Sequence, residues 1–150
     1  MRRYDTLAEL QALVGQEIGE SGWLRVDQAR IDRFAEATGD HQWIHVDPAR
    51  AASGPFGTTV AHGFLTLSLA PEMFASAFAI GDVRMGVNYG LDRVRFTAPV
   101  PVDSRVRAGF TLLAWTPIEG GAQLAIRLTI TRDGSTKPVC IAEWLTRHFL

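Results

Sequence analysis

Between Gly63 and Ala79 the chain presents almost no polar face. Phe64, Leu65, Leu67, Leu69, Met73, Phe74 and Phe78 fall on every side of the helix that their spacing implies. A helix apolar all round has to be enclosed by the rest of the protein. Pro71 has no amide hydrogen to donate and is expected to kink that helix or divide it. What encloses it is legible downstream, where apolar and polar residues alternate with period two. Val83, Met85, Val87, Tyr89 and Leu91 share one face. Val102, Ser104, Val106, Ala108, Phe110 and Leu112 share another, and Leu124, Ile126, Leu128 and Ile130 a third. Val139, Ile141 and Leu145 share a face with Glu143. Turn signals at Pro99-Val100-Pro101, Pro117 to Gly121 and Asp133-Gly134 separate these runs. They read as antiparallel strands joined locally. The expected class is α+β, a long antiparallel sheet wrapped round one central apolar helix. No repeat or linker interrupts it, so residues 1–150 read as one domain.

The first third of the chain is punctuated by caps. Thr6-Leu7-Ala8-Glu9 has the form of a capping box, with Leu7, Leu10 and Leu13 following and Gly15 as the stop. Gln16 to Val26 reads as a strand with an irregular start. Asp27 is an N-cap for a helix that buries Ile31, Phe34, Ala35 and Thr38 and ends at Gly39. From Asp40 to Thr59 the expectation is loop, with one short helix after Asp47-Pro48.

Several function classes are excluded early. A net charge of -1 gives no electrostatic reason to expect nucleic acid or an anionic membrane as partner. The basic start, Met1-Arg2-Arg3, is followed by no unbroken apolar run, so it does not read as a signal peptide. The stretch from Gly63 to Ile80 contains Pro71 and Glu72 and is marginal in length for a bilayer. Cys140 is the single cysteine, which fits a reducing cytoplasm and reads as a small buried residue.

Chemistry concentrates in Gly39-Asp40-His41-Gln42-Trp43-Ile44-His45 and in Ala61-His62-Gly63-Phe64, at the head of the apolar helix. These paired stretches resemble the hydratase-2 motif of MaoC-like (R)-specific enoyl-CoA hydratases, which are hot-dog-fold proteins. With Trp43 to Pro48 and Asn88-Tyr89-Gly90-Leu91, the likeness is nearest to the small single-domain subgroup that includes NodN-like proteins and 3-hydroxyacyl-thioester dehydratases. It covers nearly the whole chain. Two departures stand out: the commoner pattern has Asn and Pro where this chain has Gln42 and Trp43. Pro71 stands near the place where some members carry a supporting serine.

The resemblance implies a set of roles. Asp40 and His45 hold a water and carry protons, since a carboxylate accepts while an imidazole both donates and accepts. The backbone N–H of Gly63 is the donor to the thioester oxygen. Gln42, His62, Asn88 and Tyr89 are candidate substrate contacts. His62 also reads as structural, bonded to a neighbouring backbone group, and Asn88 and Tyr89 equally as plain strand residues. His41 reads as exposed and inert. No cofactor and no metal are expected, because the Asp and His residues here lack metal-ligand spacing. The implied substrate is an acyl-CoA, with an acyl carrier protein thioester as the variant. A homodimer with a continuous sheet is expected. Two other functions fit the same fold. A thioesterase would need a carboxylate on the central helix, where Glu72 is the one acid. A non-catalytic acyl-binding module would have no use for the Asp40/His45 pair.

Overall fold

Pro71 divides the apolar stretch. The computed structural model describes residues 1–150. In chain order it contains β1 (Arg2–Tyr4), a 3₁₀ helix (Leu7–Leu13), β2 (Glu17–Glu20) and β3 (Leu24–Val26). Helices α1 (Gln28–Thr38), α2 (Trp43–Val46), α3 (Pro48–Ala52), α4 (Gly63–Ser68) and α5 (Ala70–Ala77) follow. Strands β4 (Phe78–Ile80), β5 (Met85–Arg95), β6 (Ser104–Ile118), β7 (Gly121–Arg132) and β8 (Pro138–Phe149) complete the chain. The expected single helix is therefore α4 and α5, joined at Leu69 with Pro71 in the first turn of α5.

The sheet runs β2-β6-β7-β8-β5, with β3 paired to β6 beyond β2. Every pairing in it is antiparallel. Its inner face is the expected one on β6 and β7: Val106, Ala108, Phe110, Leu112, Leu124, Ile126, Leu128 and Ile130 are fully buried. They pack with Leu65, Leu69, Met73 and Phe78 in one core. Each such side chain contributes about 1.5–3 kcal/mol when removed from water.

Four expectations are corrected. The first helix is 3₁₀, and the Thr6 hydroxyl donates to the Glu9 carboxylate, which reaches back to the N–H of Asp5. Gln16 to Val26 forms two strands, interrupted at Ser21-Gly22. On β8 the inward face is Ala142, Trp144, Thr146 and His148, with Ile141, Glu143 and Leu145 on the other side. The irregularity in the β7–β8 register beside Val139 and Cys140 buries both neighbours and resets the alternation. On β5, register shifts at Tyr89 and Asp92 turn Leu91 to the side of Trp144 while Val87 stays on the side of Arg147.

The enclosure of the helix is also incomplete within one chain. Phe64 is 70% exposed. Strand β5 pairs only with β8, so its outer edge is open, and Met85, Val87, Tyr89 and Leu91 are exposed on it. No helix is long and apolar enough to cross a membrane.

Candidate active site

Helix α1 stops at Gly39, whose φ of 78° favours glycine and whose N–H closes on the Ala35 carbonyl at 2.8 Å. Asp40 follows at once, exposed, its carboxylate accepting from the N–H of Gln42 at 3.3 Å. The next residues are not loop: Trp43–Val46 form the one-turn helix α2, which carries His45. Trp43 fixes this turn. Its indole fills the space that a Cβ on Gly54 would need, and the Arg50 guanidinium lies 4.4 Å above its ring. The Asp47 carboxylate caps α3 by accepting from the N–H of Arg50.

His45 is held from two sides. Its Nδ1 lies 2.6 Å from the carbonyl oxygen of Val60. A carbonyl only accepts, so Nδ1 carries the proton and Nε2 of the neutral ring is a free acceptor. Its own carbonyl accepts from the side-chain amide of Gln28 at 2.8 Å. The same amide meets Asp32, and its oxygen accepts from Thr59. Gln28 thus ties α1, α2 and the chain before Val60 together, a role with no signal in the sequence beyond its place after the Asp27 cap. Burial lowers the basicity of His45, opposed by the hydrogen bond to Val60; the neighbouring His62 lowers it further and Asp40 raises it.

His62 is buried at 2% exposure, and its Nε2 donates to the main-chain carbonyl of Asp40 at 2.9 Å. The structural bond expected of this residue is present, and it pins the backbone of the acid itself. The ring stacks on His45 at 3.8 Å between centroids and 25° between planes, with Phe34 against it at 4.9 Å. Nδ1 of His62 is buried with no hydrogen-bond partner. One ligating atom from each of Asp40, His45 and His62 lies within 4.8 Å of the others. Such a trio invites comparison with a metal site. In two nearly parallel rings, however, the nitrogen lone pairs lie in nearly parallel planes and do not converge on one ion. The arrangement suits a molecule held by hydrogen bonds better than a cation.

Gly63 opens α4, so its N–H has no partner within the helix. A Cβ there would stand about 3.0 Å from the Phe96 ring, so a larger residue would push that ring back. Gly63, His45, Ile44, Thr66 and Phe96 line one open cavity of about 360 Å³.

The structure therefore brings Asp40, His45, His62 and Gly63 together, with Gln42 beside them through its backbone and His41 exposed. It does not bring Asn88 and Tyr89 to the same place. Asn88 faces Pro71, eight residues along the helices from Gly63 and about 12 Å away at helical rise. Its Oδ1 accepts from the indole N–H of Trp144 at 3.1 Å. Tyr89 is exposed at a bulge, with the Arg147 guanidinium 3.5 Å over its ring.

Comparison with known proteins adds to this geometry. A family model described as a MaoC like domain matches residues 9–129. The chain is 48% identical over 149 residues to 3-hydroxyacyl-thioester dehydratase Z of Mycobacterium tuberculosis, covering 99% of each. It is 48% identical to nodulation protein N of Rhizobium leguminosarum, covering 94% of this chain and 89% of that one. Among solved structures, an R-hydratase of Pseudomonas aeruginosa superposes with a TM-score of 0.75 at 24% identity, over 97% of this chain and 86% of that one.

Proposed function

Since the chain belongs to the MaoC-like domain family, we propose that it adds water to trans-2-enoyl thioesters and, in reverse, dehydrates (R)-3-hydroxyacyl thioesters in fatty acid metabolism. It is a hydro-lyase. Its likeness to a 3-hydroxyacyl-thioester dehydratase over both full lengths supports the reaction class. The observation that carries the site is the closeness of one acid and two imidazoles to a free backbone N–H. The Asp40 carboxylate and a nitrogen of His45 lie within 4.8 Å of each other and of a nitrogen of His62, beside the free N–H of Gly63.

A water donating to the Asp40 carboxylate and to Nε2 of His45 is oriented by both. As its oxygen bonds to C3, its proton passes to this pair, and the electron pair of the double bond moves through C2 onto the thioester oxygen. The N–H of Gly63, at the positive end of α4, stabilises that charge. A proton from the pair then reaches C2 on the same face, which makes the addition syn. The hydrogen bond that Nδ1 donates to Val60 holds the His45 tautomer that can accept first and give back later. His62 fixes Asp40 through its backbone, and the N–H of Gln42 holds one oxygen of the carboxylate.

The carrier is CoA, with an acyl carrier protein thioester as the variant, and the reaction needs no cofactor. The open edge of β5, with four exposed apolar side chains, suits pairing with a second copy, so the working form is a homodimer. The free buried thiol of Cys140 fits the cytoplasm. A thioesterase is less well supported, because exposed Glu72 pairs with Arg30 at 2.9 Å.

The test follows loss of conjugated-enoyl absorbance from crotonyl-CoA with the protein and with Asp40→Asn and His45→Gln variants. Hydration by the parent and its collapse in both variants is expected. Failure on short and medium chains alike, or unchanged rates in both variants, sinks the reading; release of free CoA thiol favours the thioesterase. Light scattering at micromolar concentration is expected to give the mass of a dimer, and a monomer overturns the oligomer proposal.

A further inference from the structure

The seam between the α4–α5 pair and strands β5 and β8 holds two adjoining cavities of about 290 and 190 Å³, which share Pro71, Asn88 and Trp144 as walls. On the helix side Leu67, Pro71 and Phe74 line the seam at near-helical spacing. Followed back one turn from Leu67, that stripe reaches Gly63, the proposed oxyanion donor, about 16 Å along the helices from Phe74. The near cavity is largely apolar, with Leu67, Leu91 and Trp144 in its lining. The far one ends among Phe74, Thr146 and His148.

That far end is not a plain hydrocarbon stop. His148 is only 5% exposed, stacks on Phe74 at 5.7 Å and 18°, and shares one 2.9 Å hydrogen bond with the Thr146 hydroxyl through Nε2. That bond leaves Nδ1 without a protein partner. The residue across from it is Gly86, where a Cβ would sit 3.6 Å from Nδ1 and Cε1. A larger side chain there would fill the space in front of the imidazole. Asn88, which spends its Oδ1 on Trp144, keeps its amide hydrogens unused on the same wall.

We propose that Asn88, Thr146 and His148 form a subsite for a neutral oxygen function, a hydroxyl or keto group, near the far end of the acyl chain. The preferred substrates are then medium-chain enoyl thioesters oxygenated away from the thioester. This rests on the hydratase reading above. An unsubstituted methyl end would leave the free nitrogen of the buried His148 ring facing hydrocarbon, which costs about 1–3 kcal/mol. A carboxylate would be worse, because no lysine or arginine lines either cavity and an unpaired buried charge costs several kcal/mol. Burial keeps His148 below its ordinary basicity and so neutral. The Thr146 hydroxyl can donate to Nε2 or accept from it, which lets Nδ1 accept from a hydroxyl or donate to a ketone.

The experiment reads binding, so the subsite stands or falls whether or not crotonyl-CoA is turned over. Calorimetry compares a saturated medium-chain acyl-CoA with the same chain bearing a terminal hydroxyl, on the full-length protein. The hydroxylated chain is expected to bind about tenfold tighter, the worth of one good neutral hydrogen bond. In His148→Phe the ratio is expected to fall to about one. Gly86→Val, on the exposed edge strand, blocks the same nitrogen and gives the same collapse if the core substitution does not fold. Equal affinities in the parent, or a ratio that survives in the variants, overturns the subsite.

Discussion

His45 and His148 are buried to nearly the same depth, at 7% and 5% exposure, and burial pulls both imidazoles below their ordinary basicity. Their neighbours separate them. The proton of His45 is fixed on Nδ1 by a backbone carbonyl, and a carboxylate and a second imidazole stand beside it. His148 meets a hydroxyl and an aromatic ring, with no acid in reach of a shared proton. Burial sets how weak a base a histidine becomes, but partners decide whether it moves protons or only makes hydrogen bonds. One sequence thus carries two histidines of similar depth with different chemistry.

The largest effect that follows is on turnover. Asp40→Asn and His45→Gln are each expected to lower kcat for crotonyl-CoA hydration by about 100- to 10,000-fold, the range for a positioned acid–base group. Thermal melting should show both variants folded, since Asp40 is exposed and glutamine can still donate towards Val60. If His148→Phe cost as much as His45→Gln in the same assay, the distinction between the two histidines would collapse.

His62 lies between these extremes. His62→Phe keeps a ring against His45 and removes the donor to the Asp40 carbonyl. We expect kcat to fall about tenfold with little change in KM, because one neutral hydrogen bond that positions the acid is lost. A rise in KM with kcat intact would make His62 a substrate contact instead.

The difference between the two histidines was only half legible in the sequence. Asp40, His45, His62 and Gly63 could be picked out because their two stretches resemble a family motif; the spacing by itself says nothing of their geometry. The buried faces of β6 and β7 followed directly from period-two alternation. Helix α2 was missed because Trp43-Ile44-His45-Val46 has no helical pattern; its fixing comes from Gly54 and Arg50 across the loop. His148 was missed for another reason. The irregularity beside Cys140 shifts the alternation of β8, so a polar run, Thr146 and His148, turns inward where Ile141 and Leu145 had seemed the core face. Bulges on β5 similarly hide which of Tyr89 and Leu91 faces the helix. The all-round apolar pattern is not fully enclosed within one chain, where Phe64 stays 70% exposed.

The pH dependence of turnover sharpens the contrast further. The reaction needs Nε2 of His45 unprotonated, and burial holds that ring below the usual imidazole value of 6.5. Plots of kcat/KM against pH are therefore expected to stay level down through that value and to fall only in more acid solution. A midpoint at or above the ordinary value would mean that the hydrogen bond to Val60 and the charge of Asp40 outweigh burial, and that His45 starts the cycle protonated.

The smallest effect is on stability, where both histidines act alike. In the unfolded chain each takes up a proton near pH 6.5; in the folded chain burial makes each resist. Above that pH both states are neutral at these positions and stability does not depend on them. As pH falls through 6.5 the unfolded state binds protons that the folded state does not, so stability is lost. Each histidine adds at most about 1.4 kcal/mol per pH unit until its folded form titrates. Melting curves between about pH 8 and pH 5 should thus show Tm falling on the acid side, more gently in His148→Phe than in the parent. His148 can contribute to this loss without any part in proton transfer. A slope unaffected by removing His148 would show that its burial is relieved by a proton-accepting neighbour, and would make the two histidines more alike than their surroundings imply.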